Sequence, residues 1–142
     1  MNFYVIHGPN LNLLGKRDSK HYGNFTLEAL YQSIVDRFSE HNFTFFQSNH
    51  EGEIIDVIQH LIDEPYDGLI VNLGAYTHTS IAIRDALEML AIPIVDVHLS
   101  KIEMREPFRR TNYLAGLVEA HFSGKKEESY FEAINFLIES IV

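Results

Sequence analysis

Apolar and polar positions along the chain fall into two alternating rhythms. Short apolar runs, Asn2 to His7, Phe43 to Ser48, Gly68 to Asn72, Ile92 to Val97 and Gly116 to Ala120, have the length and residue types of strands. Between the first two, Leu27, Leu30, Tyr31, Ile34 and Phe38 recur at helical spacing, and Ile54, Ile55, Ile58, Leu61 and Ile62 repeat that stripe after the second. Ser80 to Leu90 and Glu127 to Ile141 predict two more helices. Arg105 to Tyr113 reads as helical only if Pro107 occupies a first turn, where its missing N–H does no harm.

Regular alternation of strand and helix predicts a parallel sheet covered on both faces and joined by right-handed crossovers. The expected class is therefore α/β, a flavodoxin-like three-layer sandwich with a five-stranded parallel sheet, in a single domain over residues 1–142. Ligands of such open sheets bind beyond the carboxyl ends of the strands, so the residues that follow strands carry the chemical interest. The one long irregular stretch is His7 to Phe25, where Gly8, Pro9, Gly15 and Gly23 argue against a continuous helix. A loop of that length reads as a functional lid.

Composition narrows the function classes. The chain has 142 residues, is 46% hydrophobic and 22% charged, and contains no cysteine, so its fold owes nothing to disulfides or thiolate-bound metal. No apolar stretch approaches the roughly 18 residues of a membrane span, and the opening run lacks the basic leader of an exported protein. A cytoplasmic location without membrane attachment is the expectation. The formal net charge of -9 repels a nucleic-acid backbone, whereas Arg105, Arg109 and Arg110 offer a local hold for a small anion. Small acids are the favoured ligand class.

Three segments after strands concentrate polar side chains. They are His7-Gly8-Pro9-Asn10-Leu11-Asn12-Leu13-Leu14-Gly15 with Arg17 and Tyr22, then Asn72-Leu73-Gly74-Ala75-Tyr76-Thr77-His78-Thr79-Ser80 with Asp85, then Asp96-Val97-His98-Leu99-Ser100 with Arg105 to Arg110. In a parallel sheet they share one edge. Each also has an ordinary structural use. The first is a turn signal, Asn72 can satisfy turn backbone groups, Thr77 or Thr79 can cap the next helix, and Arg84, Asp85 and the later arginines can be solvated surface charges. His98 stands out because an imidazole at the ligand edge titrates near neutral pH, and Tyr22 because the nearby cation of Arg17 favours the charged form of a phenol.

Taken together, these blocks, with Tyr22-Gly23, Gln47-Ser48-Asn49-His50-Glu51-Gly52, His98-Leu99-Ser100 and Arg105-Glu106-Pro107-Phe108-Arg109, resemble the type II 3-dehydroquinate dehydratase family in order and spacing over most of the chain. The resemblance implies a cofactor-free and metal-free hydro-lyase of the shikimate pathway that converts 3-dehydroquinate to 3-dehydroshikimate. It implies that Tyr22, as a tyrosinate favoured by Arg17, removes the proton beside the ketone, that Asn10 positions a water against the enolate, and that His98 protonates the departing hydroxyl. It further implies that Asn72, His78, Asp85 and Arg109 grip the ring's oxygen substituents while the backbone N–H groups of Leu99 and Ser100 bind the carboxylate. The implied assembly is a dodecamer built from trimers, with Asp85 reaching a neighbouring subunit's site.

The chain departs from the family pattern in places. Asp18-Ser19-Lys20-His21 follows Arg17 where Glu-Pro is frequent, Asp96 stands where Glu is common, Lys101 replaces a frequent Asn, and Glu119 to Ser129 is more charged than the usual Gly-rich run. Two other readings compete. His78, His98, Asp85 and Asp96 are residue types that bind zinc or manganese, although no compact His-Glu-x-x-His motif is present. A flavodoxin-like ligand-binding or signalling module is the second, but a receiver switch wants acids where Gly8-Pro9-Asn10 and Asn72 stand, and a flavin site wants a phosphate loop that Pro9, Leu11, Leu13 and Leu14 do not supply.

Overall fold

A computed structural model describes residues 1–142, the side chain of Glu103 excepted. Five strands, β1 (Asn2–His7), β2 (Asn42–Gln47), β3 (Gly68–Asn72), β4 (Ile94–His98) and β5 (Ala120–Ser123), form one sheet in the order β2-β1-β3-β4-β5. Every pairing is parallel. The helices are α1 (Ser19–Tyr22), α2 (Leu27–Arg37), α3 (Glu51–His60), α4 (Ile81–Leu87) and α5 (Glu127–Ile141). The flavodoxin-like α/β class expected from the alternation is the one observed.

The two faces of the sheet are filled by the two helical stripes. Leu30 and Ile34 of α2 and Ile134 and Leu137 of α5 pack with Phe3, Val5 and Val97, while Ile54 and Ile58 of α3 and Ile83 and Leu87 of α4 pack with Ile6, Val71 and Leu73. Val5 and Ile6 enter opposite cores because successive strand side chains point to opposite faces. Every residue of β3 and β4 is buried, which is why these strands read as nearly unbroken apolar runs. Each fully buried aliphatic side chain contributes roughly 1.5–3 kcal/mol relative to exposure.

Several boundaries differ from those the pattern predicts. The fifth strand begins at Ala120, not at Gly116, because Leu114 to Val118 closes turns, with Leu117 N–H donating to the Leu114 carbonyl at 3.0 Å and Gly116 at φ +81°. Leu117 and Val118 still pack against the second core, so their apolarity reflects burial without strand geometry. The helix expected from Ser80 to Leu90 runs only from Ile81 to Leu87 and is followed by turns at Met89 and Leu90. Its cap is Ser80, whose Oγ accepts from Ile83 N–H at 2.9 Å; Thr77 and Thr79 do not cap it. Ile62, counted in the apolar stripe, is 45% exposed because α3 has already given way to a 3-10 turn at Leu61–Asp63. Arg105 to Tyr113 contains only a 3-10 turn, Pro107–Arg110, with the proline at its start.

Candidate active site

The strand order reverses between β1 and β3, and the segments that leave β1, β3 and β4 surround a cavity of about 120 Å³ beyond that switch point. Gly8 makes the junction possible. Its N–H donates to the Asn72 carbonyl at 2.8 Å, and a Cβ there would stand 2.2 Å from the Leu73 carbonyl oxygen, so any larger residue would force the two loops apart. Asn10 follows at φ 70°, a left-handed conformation that asparagine tolerates better than most residues. Its backbone N–H donates to Asn49 Oδ1 at 2.9 Å, tying the loop after β1 to the segment after β2.

Tyr22 ends α1, one turn of α-helix inside the long loop, and its position is held from two sides. Arg17 Nη2 donates to the phenol oxygen at 2.8 Å with its guanidinium 3.7 Å from the ring centroid, and Arg105 Nη1 donates to the same oxygen at 2.7 Å. Two guanidinium groups on one oxygen give charge-assisted hydrogen bonds that are strongest when the phenol is a phenolate. Gly23, at φ +83°, turns the chain directly after Tyr22, and a Cβ there would meet the Phe25 ring at 2.4 Å. Arg105 is the site residue that the roles implied by the sequence leave out. The signal was only its presence in a basic cluster, and nothing local connects it to a tyrosine 83 residues away.

His98 closes β4 and is nearly buried, with Nε2 donating to Asp96 Oδ2 at 3.2 Å; Oδ1 lies at 3.1 Å but off the N–H direction. With Nε2 committed to the carboxylate, Nδ1 is the nitrogen left for chemistry in the cavity. Asp96 is fully buried. Burial pushes its carboxyl up, but the charge of His98 and hydrogen bonds from His121, His98 and Asn112 outweigh this and hold it well below the usual carboxylate range. The one-carbon shortening to Asp therefore leaves the contact with His98 in place.

His78 lines the same cavity, its ring 6.4 Å from that of His98. Its Nδ1–H donates to the Thr111 carbonyl at 2.6 Å, leaving Nε2 as an acceptor. Burial lowers its proton affinity, the Thr111 carbonyl opposes that, the charges of His98 and Arg109 add to it, and Asp96 opposes it; the resultant is downward. Asn72 also lines the cavity, but its amide serves the fold as well. Nδ2 donates to Tyr130 Oη at 2.9 Å and Oδ1 accepts from Gly74 N–H at 3.2 Å. Tyr130 in turn donates to His7 Nε2 at 2.7 Å, and His7 Nδ1 lies 3.3 Å from Tyr31 Oη. Burial lowers the pKa of His7 from 6.5 to about 3, so it is a neutral core residue beneath the cavity floor.

Leu99, Ser100 and Arg109 complete the lining, and Arg109 Nε is ion-paired with Glu106. Asn10 and Arg17 also line it, so nine of the ten residues singled out from sequence border this one cavity. Asp85 is the exception. It lies exposed on α4 and does not border the cavity of its own chain. Among the described residues no three His, Asp or Glu side chains are grouped so as to hold a metal ion. No helix there is long and apolar enough to cross a membrane.

Comparison with known proteins points one way. The family described as dehydroquinase class II matches residues 1–138. The chain is 47% identical over 139 residues to the 3-dehydroquinate dehydratase of Thermotoga petrophila, covering 96% of this chain and 94% of that protein. It is 46% identical over 136 residues to the 3-dehydroquinate dehydratase of Acaryochloris marina, covering 94% and 91%. Its fold superposes on the type II dehydroquinase of Butyrivibrio crossotus with a TM-score of 0.93 at 40% identity over 97% of both chains.

Proposed function

The chain belongs to the dehydroquinase class II family, and we propose that it removes water from 3-dehydroquinate by an anti elimination in which Tyr22 takes a proton and His98 returns one. It is a hydro-lyase of the shikimate pathway, giving 3-dehydroshikimate. The observation that supports this division of labour best is the placement of the Tyr22 oxygen between Arg17 and Arg105 at the cavity that His98 also borders.

In this reading the Tyr22 phenolate abstracts the proton beside the ketone, where the carbonyl delocalises the resulting charge. Asn10 presents its amide to a water that hydrogen-bonds the enolate oxygen. The enolate collapses as the carbon–oxygen bond of the hydroxyl breaks, and His98, protonated at Nδ1 and steadied through Nε2 by Asp96, gives the leaving oxygen its proton. Arg109 and Asn72 donate to ring oxygens, His78 Nε2 accepts from a hydroxyl, and the N–H groups of Leu99 and Ser100 take the carboxylate. Residues 1–142 act as one catalytic domain that needs neither metal nor cofactor for these steps. The setting is cytoplasmic, and the working assembly is a homo-oligomer, a dodecamer built from trimers, in which the exposed Asp85 serves a neighbour's cavity.

The test is ultraviolet absorbance of the conjugated enoate on mixing 3-dehydroquinate with metal-stripped protein, alongside folded Tyr22→Phe and His98→Asn variants. Wild type raises the absorbance, and each variant slows the rise by roughly 10²–10⁴-fold. Only His98→Asn still exchanges the substrate's acidic carbon-bound hydrogen for deuterium. A flat absorbance trace from folded wild type would sink the reading and favour a ligand-binding module.

A further inference from the structure

The buried carboxylate behind His98 has a second histidine on it. Asp96 and His121 are directly paired residues of the neighbouring parallel strands β4 and β5, so their side chains leave the sheet side by side. His121 Nδ1–H donates to Asp96 Oδ2 at 2.9 Å, shorter than the 3.2 Å bond that the same oxygen receives from His98. Asn112 Nδ2 adds a third donor at 3.2 Å, its amide oriented by Oδ1 accepting from Leu114 N–H at 2.8 Å. Asp96 is fully buried, whereas the His121 side chain is 41% exposed, so its ring is open to solvent. Nothing in the elimination as described uses it.

We propose that His121 is a positioning residue for the acid step: its N–H fixes the Asp96 carboxylate toward His98, and its charge limits how strongly that carboxylate retains the proton on His98. The inference rests on the reading of His98 as the acid. When His121 is neutral, the full charge of Asp96 favours the His98 imidazolium. A protonated His121 draws on the same oxygen, and the proton on His98 is released to the leaving hydroxyl more readily. The other titratable and charged groups facing this trio are His78 from the turn after β3, Arg109 from the turn at Pro107–Arg110, and Tyr130 of α5. Among the described residues His121 has no ion-pair partner besides Asp96.

The test combines steady-state pH profiles with histidine-ring NMR titration of wild type, His121→Asn and His121→Phe. His121→Phe, which removes the donor, lowers kcat about tenfold with KM unchanged. His121→Asn, which keeps an N–H but cannot charge, recovers most of kcat and moves the alkaline limb of the kcat profile upward by about one pH unit, with the His98 ring titration moving the same way. Superimposable kcat profiles and His98 titrations in wild type and His121→Asn, in protein that turns over 3-dehydroquinate, overturn the proposal. If wild type shows no turnover, it is the dehydratase reading that fails, and the ring titrations alone decide whether His121 and His98 are coupled. Should His121→Phe not fold, the His121→Asn titration carries the decision.

Discussion

The phenol oxygen of Tyr22 accepts a hydrogen bond from Arg105 at 2.7 Å across 83 residues of chain, matching the 2.8 Å bond from Arg17 five residues away. The two arginines come from loops after different strands, so the phenol oxygen receives both bonds only when the long loop after β1 docks on the segment after β4. Arg105→Gln and Arg17→Gln are each expected to lower kcat by about 10²-fold with a small change in KM, because each deletes one charge-assisted donor from the oxygen proposed as the base. Steady-state kinetics of the two variants checks this. Unchanged kcat in Arg105→Gln would assign the contact to packing alone.

Asp96 is expected to contribute to stability as well as to steady His98. Its folded pKa is depressed below the ordinary 3.8, so its contribution is present above that value and is lost as pH falls through it toward the folded one. Asp96→Asn is expected to destabilise the protein by about 3 kcal/mol near pH 7, since it leaves His98, His121 and Asn112 around an uncharged amide. Urea unfolding as a function of pH should find the gap between variant and wild type widening as pH falls from 7 to 5, where the His121 pKa, raised by its hydrogen bond to Asp96, adds stability to wild type alone, and closing below about pH 4.

His7 adds a pH dependence of the same sign in a higher window. Burial holds it neutral, with a folded pKa of about 3 against 6.5 when unfolded, so between these values the unfolded chain binds a proton that the folded one refuses. Stability therefore falls as pH drops from 6.5, by about 2 kcal/mol at pH 5. His7→Gln, whatever it costs at pH 7 through the lost bonds to Tyr130 and Tyr31, should shrink the difference between pH 7 and pH 5 by that amount. An unchanged difference in chemical denaturation would place the acid sensitivity elsewhere.

Asp85 provides a test of assembly. Exposed on α4 and away from its own cavity, it is expected to act in a neighbouring subunit. Inactive Asp85→Ala protein dissociated, mixed with inactive Tyr22→Phe protein and reassembled should regain part of the wild-type activity, because some cavities then receive Tyr22 from one chain and Asp85 from the other. Failure of hybrid oligomers to recover any activity would confine Asp85 to its own chain.

The sequence by itself determined the class of fold and the sheet edge at which the polar side chains gather. Strand and helix periods are local, set by which side chains a pleated ribbon or a 3.6-residue turn turns toward a core, so Leu30, Ile34, Ile54 and Ile58 declared their helices without reference to the rest of the chain. The same locality misled at Leu117 and Val118, where apolarity marked burial of a turn, and shifted β5 to Ala120. What only the tertiary structure decided were the contacts that depend on strand order. These are Arg105 on Tyr22, His121 beside Asp96 through the register of β4 and β5, and His7 joined to Asn72 by Tyr130 beneath the cavity. Such pairs are 25 to 123 residues apart along the chain. A local period states which face a residue occupies; only packing the two cores on the sheet states what it meets there.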